Sequence, residues 1–203
     1  GMFQSVYDYP YLSSSANHIF DVTVGYSANS GLSGTASVQN SKKINIYNQM
    51  AQVLVGYDLT GSIREFDQDG NLAAGGAKLQ ECLFVNFSRL LTKDEVKKGS
   101  FIMTALTGGT PAAPTDALTI SDYGAASTYL TNSPAGEYAP LYTSSATPDA
   151  TSGVGLLYYQ AGIAVITASV FDGTFGAPAA TYDTSSIDAV LTGSQISSSC
   201  DGI

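Results

Sequence analysis

The run Glu-Cys-Leu-Phe-Val-Asn-Phe at Glu81–Phe87 decides the fold prediction, together with the segment that follows it. It is apolar and aromatic enough for a half-buried strand. Thr92 and Glu95 have the spacing of a capping box, in which each side chain accepts a hydrogen bond from the backbone N–H of the other residue. A short helix is therefore predicted over Thr92–Lys98, and Phe101–Leu106 resumes as a strand.

An amphipathic helix is predicted over Ser41–Val55. Apolar residues recur there at three- and four-residue spacing behind a Ser41 cap, and Gly56 closes the segment. The apolar stripe consists of Ile44, Tyr47, Met50, Ala51 and Leu54. Such a stripe is typical of a helix face that packs on a protein core, and it is a weak sign of a cofactor site. We expect this face to pack on a sheet.

Alternation of apolar and polar residues, together with turn signals, predicts further strands along the chain. They are Ile19–Tyr26, Ala117–Ser121, Glu137–Thr143, Val154–Tyr159 and Gly162–Val170. The last two form a hairpin through Gln160, Ala161 and Gly162, in which Gly162 takes the positive φ of a three-residue turn with a bulge. The predicted fold class is α+β, mainly antiparallel β as a sandwich or curled sheet, with one amphipathic helix and one short helix.

Residues 1–203 are predicted to form a single domain, because no break in composition and no long internal repeat divides the chain. The tail over residues 174–203 is rich in small residues, and we expect it to be mobile.

The N-terminal segment, residues 1–15, has an alternating tyrosine pattern that favours an extended chain. We expect it to form an arm whose Tyr7, Tyr9 and Tyr11 contact a partner. An edge strand that lies on its own domain stays an equal alternative for this segment.

The composition suits a protein that packs against other proteins, and a solvated β-protein without such a role is an equal alternative. Only 12% of residues are charged, and Tyr (13 residues) outnumbers Phe (8 residues). Tyr supplies a large contact area at a small cost in entropy. The net charge of −9 disfavours nucleic-acid binding, which requires clustered Lys and Arg. The basic residues Lys42–Lys43, Lys93 and Lys97–Lys98 lie at predicted helix ends, where we expect them to cap the helix or to face solvent.

Residues that could carry catalysis or bind a metal are scarce. His18 is the only histidine, and no G-x-S-x-G motif frames a serine, so we expect no catalytic residue. Cys82 is expected to be a free buried thiol, while a bridge to Cys200 stays open. Neither cysteine can complete a zinc site of known spacing. Carboxylate pairs on separate strands leave no sequence signature, so a glycosidase stays an alternative.

Asp67–Asn71 has only a superficial likeness to a calcium-binding loop. With Asp67 as the first ligand, glycine arrives at the fourth place instead of the sixth, and Lys78 occupies the twelfth place, which requires Glu. A solvated turn is predicted instead. We expect no cofactor and no metal. A membrane partner is not expected either, because no stretch approaches a spanning length and the N-terminus lacks the layout of a signal peptide.

Three segments carry a resemblance to a known family: Leu83–Arg89, Lys93–Phe101 and Gly155–Ile166. Their order and spacing resemble uncharacterised virion structural proteins of large contractile-tailed phages of marine bacteria, relatives of the T-even group. In that family a strand ending in Phe and Arg leads to a short charged helix, a strand, an Asp-rich turn and a late hairpin of the form Gly-Leu-x-Tyr-x-x-x-Gly-Ile. Ser121–Tyr123 occupies the Asp-rich turn, and the likeness covers Ile44–Phe171.

The resemblance implies a structural component of a phage virion, associated with the tail, baseplate or neck, that is synthesised in the cytoplasm of the bacterial host. Its partners would be other virion proteins and copies of itself, and it would not be an enzyme. The alternative is a tail-associated protein that binds or degrades host-surface glycan. Exposed aromatic platforms beside acidic side chains would favour that alternative. A host-encoded binding domain is a further alternative.

Overall fold

A computed structural model of the chain describes residues 3–8, 17–34, 38–91, 94–110, 113–143 and 151–171. These residues hold two α-helices, α1 (Val38–Leu54) and α2 (Ala125–Thr128). The strands are β1 (Phe3–Asp8), β2 (Asn17–Tyr26), β3 (Phe66–Asp67), β4 (Lys78–Leu79), β5 (Glu81–Asn86), β6 (Ile102–Thr110), β7 (Ala113–Ser121), β8 (Leu130–Ser133), β9 (Gly136–Thr143), β10 (Gly153–Tyr158) and β11 (Ile163–Thr167). Short 3₁₀ helices lie at Gly31–Gly34, Ser88–Leu90 and Ala168–Phe171.

Nine strands form one sheet in the order β1-β2-β5-β11-β10-β9-β7-β6, with β8 paired to β9 as well. All of these pairings are antiparallel. The short strands β3 and β4 form a separate hairpin. Val22 of β2 and Met103 of β6 lie near opposite ends of this order yet share one core, so the sheet curls. The predicted fold class is confirmed: a mainly antiparallel α+β fold with one long and one short helix.

The two faces of the curled sheet bury two cores, and β5 contributes to both because its side chains alternate. Leu83 and Val85 lie in the inner core, whereas Cys82 and Phe84 lie in the helix-side core. The inner core also contains Val22, Val24, Tyr26, Met103, Ile120, Leu141, Leu157, Tyr159 and Ile166. The helix-side core also contains Tyr47, Leu54, Phe66, Tyr138, Leu156, Tyr158 and Val165. Each large apolar side chain buried there contributes about 1.5–3 kcal/mol. Cys82 is a free buried thiol, as predicted.

The predicted amphipathic helix is confirmed as α1, and its apolar stripe covers the helix-side core. The side chain of Tyr47 is buried, and its hydroxyl donates to Leu79 O at 2.8 Å and accepts from Phe66 N–H at 3.2 Å. The helix begins three residues before the predicted Ser41 cap. Neither Gly nor Pro occurs among the three residues before Ser41, so nothing in the sequence stops the helix from starting earlier.

The short helix predicted over Thr92–Lys98 is wrong for its described part. Residues from Asp94 to Gly99 form a bend and a turn, and the short α-helix lies elsewhere, at α2. Thr92 lies outside the described residues. Glu95 Oε2 accepts a hydrogen bond from Gln160 Nε2 at 3.2 Å, and Val96 N–H donates to Tyr159 O at 3.2 Å. These tertiary contacts use the groups that a helical turn would have used.

The predicted late hairpin is confirmed as β10 and β11, with one difference in its loop. Tyr158 pairs with Ile163, which leaves four loop residues instead of the predicted three. Tyr159 N–H donates to Glu137 O at 3.0 Å, because the chain still follows β9 at that point. Gly162 has a φ of 63°, as predicted, and a Cβ there would lie 2.7 Å from Ser88 Cα. Glycine is therefore required at this corner.

β1 and β6 lie at the two ends of the strand order, and β8 also has a single neighbour, β9, in the part of the chain that the structure describes. The β6–β7 ladder runs from Ile102↔Ser121 to Thr110↔Ala113. Within the described residues β7 meets β9 only at Ile120 and Ser121, so the hairpin extends past its neighbour. Residues 174–203 lie outside the described ranges, and the prediction of a single domain over residues 1–203 stays a prediction.

Candidate interaction surface

The N-terminal strand β1 presents aromatic side chains at an open edge of the sheet. Phe3 is 62% exposed and Tyr7 is 49% exposed. β1 pairs with β2 on one side only, so for Phe3–Asp8 the edge-strand alternative holds. Tyr9 and Tyr11, the other two predicted contact residues, lie outside the described residues. The structure therefore places Tyr7 on an accessible edge and leaves the role of all three tyrosines a prediction.

A hydrogen-bonded group beneath this edge joins β1 to β2, and we name it the Asp21 junction (Ser5, His18 and Asp21). Ser5 Oγ donates to Asp21 Oδ1 at 2.5 Å, and His18 Nε2 lies 2.7 Å from the same oxygen. The ring of Tyr7 meets His18 edge-on at 5.4 Å. The register shifts between Val6 and Tyr7, so β2 gains one residue, and this bulge brings His18 and Asp21 to one side of the strand.

The Asp21 junction has the residue types of a catalytic triad in the wrong order. In a triad the histidine lies between the serine and the carboxylate, so that it can take the proton of the serine. Here Asp21 lies between them, and Ser5 donates its proton to a carboxylate. His18 Nδ1 is buried and has no hydrogen-bond partner among the described residues. The junction is arranged to fasten the edge strand and to orient the ring of Tyr7.

A second polar group lies at the end of the sheet where β9 begins, and we name it the Lys98 cluster (Glu95, Lys98, Glu137 and Gln160). Lys98 Nζ lies 2.8 Å from Glu95 Oε1 and 2.5 Å from Glu137 Oε2. Gln160 Nε2 donates to Glu95 Oε2 at 3.2 Å. Hydrogen bonds to Glu137 and Glu95 raise the pKa of Lys98, and the hydrogen bond from Lys98 lowers the pKa of Glu95. Because both carboxylates hold one ammonium group, neither is an unpaired acid or base.

Aromatic rings and a buried carboxylate support the Lys98 cluster. Lys98 Nζ lies 5.0 Å from the ring centre of Tyr129 and 5.4 Å from that of Tyr159. Asp122 accepts hydrogen bonds from Tyr159 Oη at 2.9 Å, Gly99 N–H at 2.6 Å and Phe101 N–H at 2.9 Å. Burial and the Asp122 carboxylate raise the pKa of Tyr159. Sequence analysis missed this cluster because its members come from three separate segments.

The loop between β3 and β4 is closed by an internal ion pair. Lys78 Nζ contacts Asp67 Oδ2 and donates to Ala73 O at 2.6 Å. The prediction of a solvated turn is wrong for Asp67, because its side chain is 1% exposed. Burial raises the pKa of Asp67. Lys78 occupies the position where a calcium-binding loop carries Glu. Its ammonium group supplies the positive charge beside the Asp67 carboxylate. No group of three or more metal-binding side chains occurs in the described ranges.

A cleft of about 300 Å³ lies beside this loop. Its polar lining comes from Gln68, Lys78, Thr151, Ser152, Thr167 and Ser169. Gln68 Nε2 donates to the backbone oxygens of Thr151 and Gly153, both at 2.9 Å. The Gln68 amide therefore holds the start of β10 against the β3–β4 hairpin.

Two lysines predicted to cap helices or to face solvent have other roles. Lys43 is fully buried on α1, and burial lowers its pKa. Lys98 is the centre of the Lys98 cluster, whereas Lys97 is exposed. Lys93 lies outside the described residues.

No family model, no curated protein and no solved structure is significantly similar to this chain. Its function has to be inferred from its own residues. None of the helices in the described ranges combines the length and the apolar character that a bilayer crossing demands.

Proposed function

We propose that the chain is a structural component of a contractile-tailed phage virion, associated with the tail, baseplate or neck. It acts through contacts with other virion proteins and with copies of itself, after synthesis in the cytoplasm of the bacterial host. The family pattern over Ile44–Phe171 and the weakly charged, Tyr-rich composition support this proposal. The net charge of −9 argues against nucleic acid as a partner.

The observation that carries the proposal is the rigid, exposed aromatic edge at β1. Phe3 and Tyr7 are large apolar side chains that face solvent, on a strand whose outer side pairs with nothing in the described residues. The Asp21 junction fixes β1 to β2, and His18 of the junction meets the Tyr7 ring edge-on, so the strand and this ring are held in place before any partner arrives. Exposed aromatic groups on a rigid support lose little entropy when they are buried at an interface.

Incorporation into particles tests the proposal. We expect mass spectrometry of particles purified from an infected culture to detect the chain, and immunogold labelling to locate it at one particle position. A phage that carries both Phe3→Ser and Tyr7→Ser should incorporate less of the chain than the wild-type phage. The matched control is Tyr57→Ser, because Tyr57 is equally exposed but lies away from β1. Particles that lack the chain altogether would contradict the proposal.

We propose no enzymatic activity and no cofactor. Glu95 and Glu137 are both paired with Lys98, and the buried Asp67 is paired with Lys78. Ser5 donates to Asp21 and has no imidazole as its hydrogen-bond partner.

Host-surface glycan binding is the second candidate, and one observation favours it. Tyr129 is 38% exposed beside the acidic residues of the Lys98 cluster, and Tyr123 is exposed nearby in the sequence. Aromatic rings next to carboxylate and amide groups are suited to sugars, which present both apolar faces and hydroxyls. A glycan-array screen with the purified chain tests this candidate. A hit that survives in the Tyr129→Ala variant would contradict the site, and a screen without hits would contradict the function.

A further inference from the structure

The strand at the other end of the order, β6, has no strand partner on its outer side among the described residues. Its sequence, Ile-Met-Thr-Ala-Leu-Thr-Gly-Gly-Thr, contains no charged residue and no proline. Its ladder with β7 is continuous and has no bulge. Natural proteins protect long edge strands with charges, prolines, bulges or short length, because an open edge pairs with other chains. The opposite edge, β1, is short, contains a register shift and ends in Asp8. The two edges of one sheet therefore differ in protection.

The hydrogen-bond pattern shows which backbone groups β6 presents outward. Asp122 N–H donates to Phe101 O, so the backbone of Phe101 points toward β7. Backbone direction alternates along an antiparallel strand. The N–H and C=O groups of Met103 and Ala105 therefore point toward β7, and those of Ile102 and Thr104 point to the open edge. By the same alternation, the N–H and C=O groups of Leu106, Gly108 and Thr110 also point to the open edge.

We propose that β6 pairs antiparallel with β6 of a second copy of this chain, so that two nine-stranded sheets join into one. A two-fold axis at Leu106 would pair all five outward-pointing residues, with Thr104 opposite Gly108 and Ile102 opposite Thr110. A second copy offers a strand of the same length with the same unpaired edge, and because β6 carries no charge, no like charges face each other at the seam although each chain has a net charge of −9.

The protected β1 edge favours a closed dimer over an open chain of copies. Pairing of β6 with β1 of another copy would leave one free edge at each end and would propagate. Pairing of β6 with itself uses the unprotected edge of both copies and closes. The inference deepens the proposed function and rests on it in one respect, which is that the chain works through protein contacts.

Light scattering on the purified full chain over a range of concentrations tests the dimer. We expect a concentration-dependent dimer for the wild type and a monomer for Thr104→Pro, because proline removes an outward N–H and leaves the β6–β7 ladder intact. Thr104→Val keeps the N–H and the β propensity, and it should dimerise like the wild type. A monomeric wild type, or a Thr104→Pro variant that still dimerises, would overturn the inference.

Hydrogen exchange provides a measurement that does not depend on the folding of any variant. In the wild-type chain, the amides of Ile102, Thr104 and Leu106 should become more protected as concentration rises, while those of Met103 and Ala105 stay protected throughout. Protection of the outward amides that does not change with concentration would overturn the inference, because another part of the same chain would then cover the edge. A monomer that still enters particles leaves the proposed function intact, whereas a dimer that never enters particles contradicts that function.

Discussion

Gly25 sets the distance between α1 and the sheet. A Cβ at this position of β2 would lie 2.9 Å from both Lys43 O and Tyr47 N, which are backbone atoms of the helix. Backbone atoms cannot move aside as the end of a flexible side chain can. The helix therefore approaches β2 as closely as it does because residue 25 has no side chain, and Tyr47 reaches the helix-side core as a result.

We predict that Gly25→Ala lowers the free energy of unfolding by about 1–3 kcal/mol, because the added methyl group forces α1 away from β2. Urea unfolding monitored by circular dichroism measures this change. Gly31→Ala is the matched control, because a Cβ there meets nothing within 4 Å and the change should stay within about 0.5 kcal/mol. Equal losses in the two variants would contradict the close-approach explanation.

Tyr138 is a buried residue whose hydroxyl joins the β3–β4 loop to strand β8. Its Oη lies 2.6 Å from Gly70 O and 2.6 Å from Asn132 Oδ1. Burial, with a smaller effect from the Asp67 charge, raises the pKa of Tyr138 to about 12. The folded state therefore favours the neutral phenol. The resulting stability is fully present below the ordinary pKa of 10.0 and is lost as pH rises from there through about 12.

We predict that Tyr138→Phe costs about 1–2 kcal/mol at neutral pH, because Gly70 O loses its donor. Above pH 10.0 the wild type should lose stability faster than the variant, which has no phenol to ionise at this position. Urea unfolding at a series of alkaline pH values measures both effects. A constant difference between the two proteins across that range would contradict the assignment. Tyr57→Phe, at an exposed tyrosine, is the control and should be nearly neutral.

At the scale of elements, an ion pair closes the β3–β4 loop. Asp67 is almost fully buried, and Lys78 neutralises it. We predict that Lys78→Met costs about 3 kcal/mol, because it leaves a buried carboxylate without its partner. The double variant Asp67→Asn with Lys78→Met should recover much of this loss. A double-mutant cycle in urea measures the coupling between the two residues.

The loss in Lys78→Met should also depend on pH. Burial raises the pKa of Asp67, so the folded state favours the protonated carboxyl, and its stabilising effect is present at low pH and lost as pH rises. The deficit of the variant relative to the wild type should therefore shrink as pH is lowered. A deficit that grows toward acid pH would contradict this account.

The Lys98 cluster joins the segment after β5 to β9 and to the β10–β11 loop. We predict that Lys98→Gln lowers stability by about 1 kcal/mol at low salt and by less at high salt, as expected for a partly exposed ion pair. Lys97→Gln, at the exposed neighbouring lysine, is the control and should change little. The pKa of Glu95 is lowered, so its contribution is present above its usual 4.5 and is lost as pH falls through the folded value. Thermal unfolding at two salt concentrations measures the difference.

At the scale of the whole molecule, the strand order predicts which backbone amides are most protected. β5 and β11 have a neighbour on both sides, and their side chains lie in both cores. β1 lies at an edge. We therefore predict that hydrogen exchange in dilute protein is slowest in β5 and β11 and much faster in β1, because local opening of an edge strand exposes less apolar surface. Exchange in β1 as slow as in β5 would show that a partner or another segment covers that edge.

Local sequence patterns were sufficient to predict the features that depend on one buried face or on one backbone conformation. The α1 stripe, strand β5 and the Gly162 corner were all predicted because each depends on periodicity or on one backbone conformation. The short helix over Thr92–Lys98 was not found at its predicted place, because Glu95 and Val96 have hydrogen-bond partners far away in the chain, at Gln160 and Tyr159. A capping box shows that a segment can start a helix in isolation. Tertiary contacts determine whether that helix forms in the folded chain.

The sequence by itself determined a mainly antiparallel α+β fold and a core-facing helix. Only the tertiary structure decided the strand order, and with it the open edges at β1 and β6, the Asp21 junction and the Lys98 cluster. The physical reason is that periodicity records which face of an element is buried, and burial is a property of neighbouring residues. The partner of Asp21, Asp67 or Lys98 is set by which distant segments the curled sheet brings within hydrogen-bond reach, and no local pattern encodes that distance.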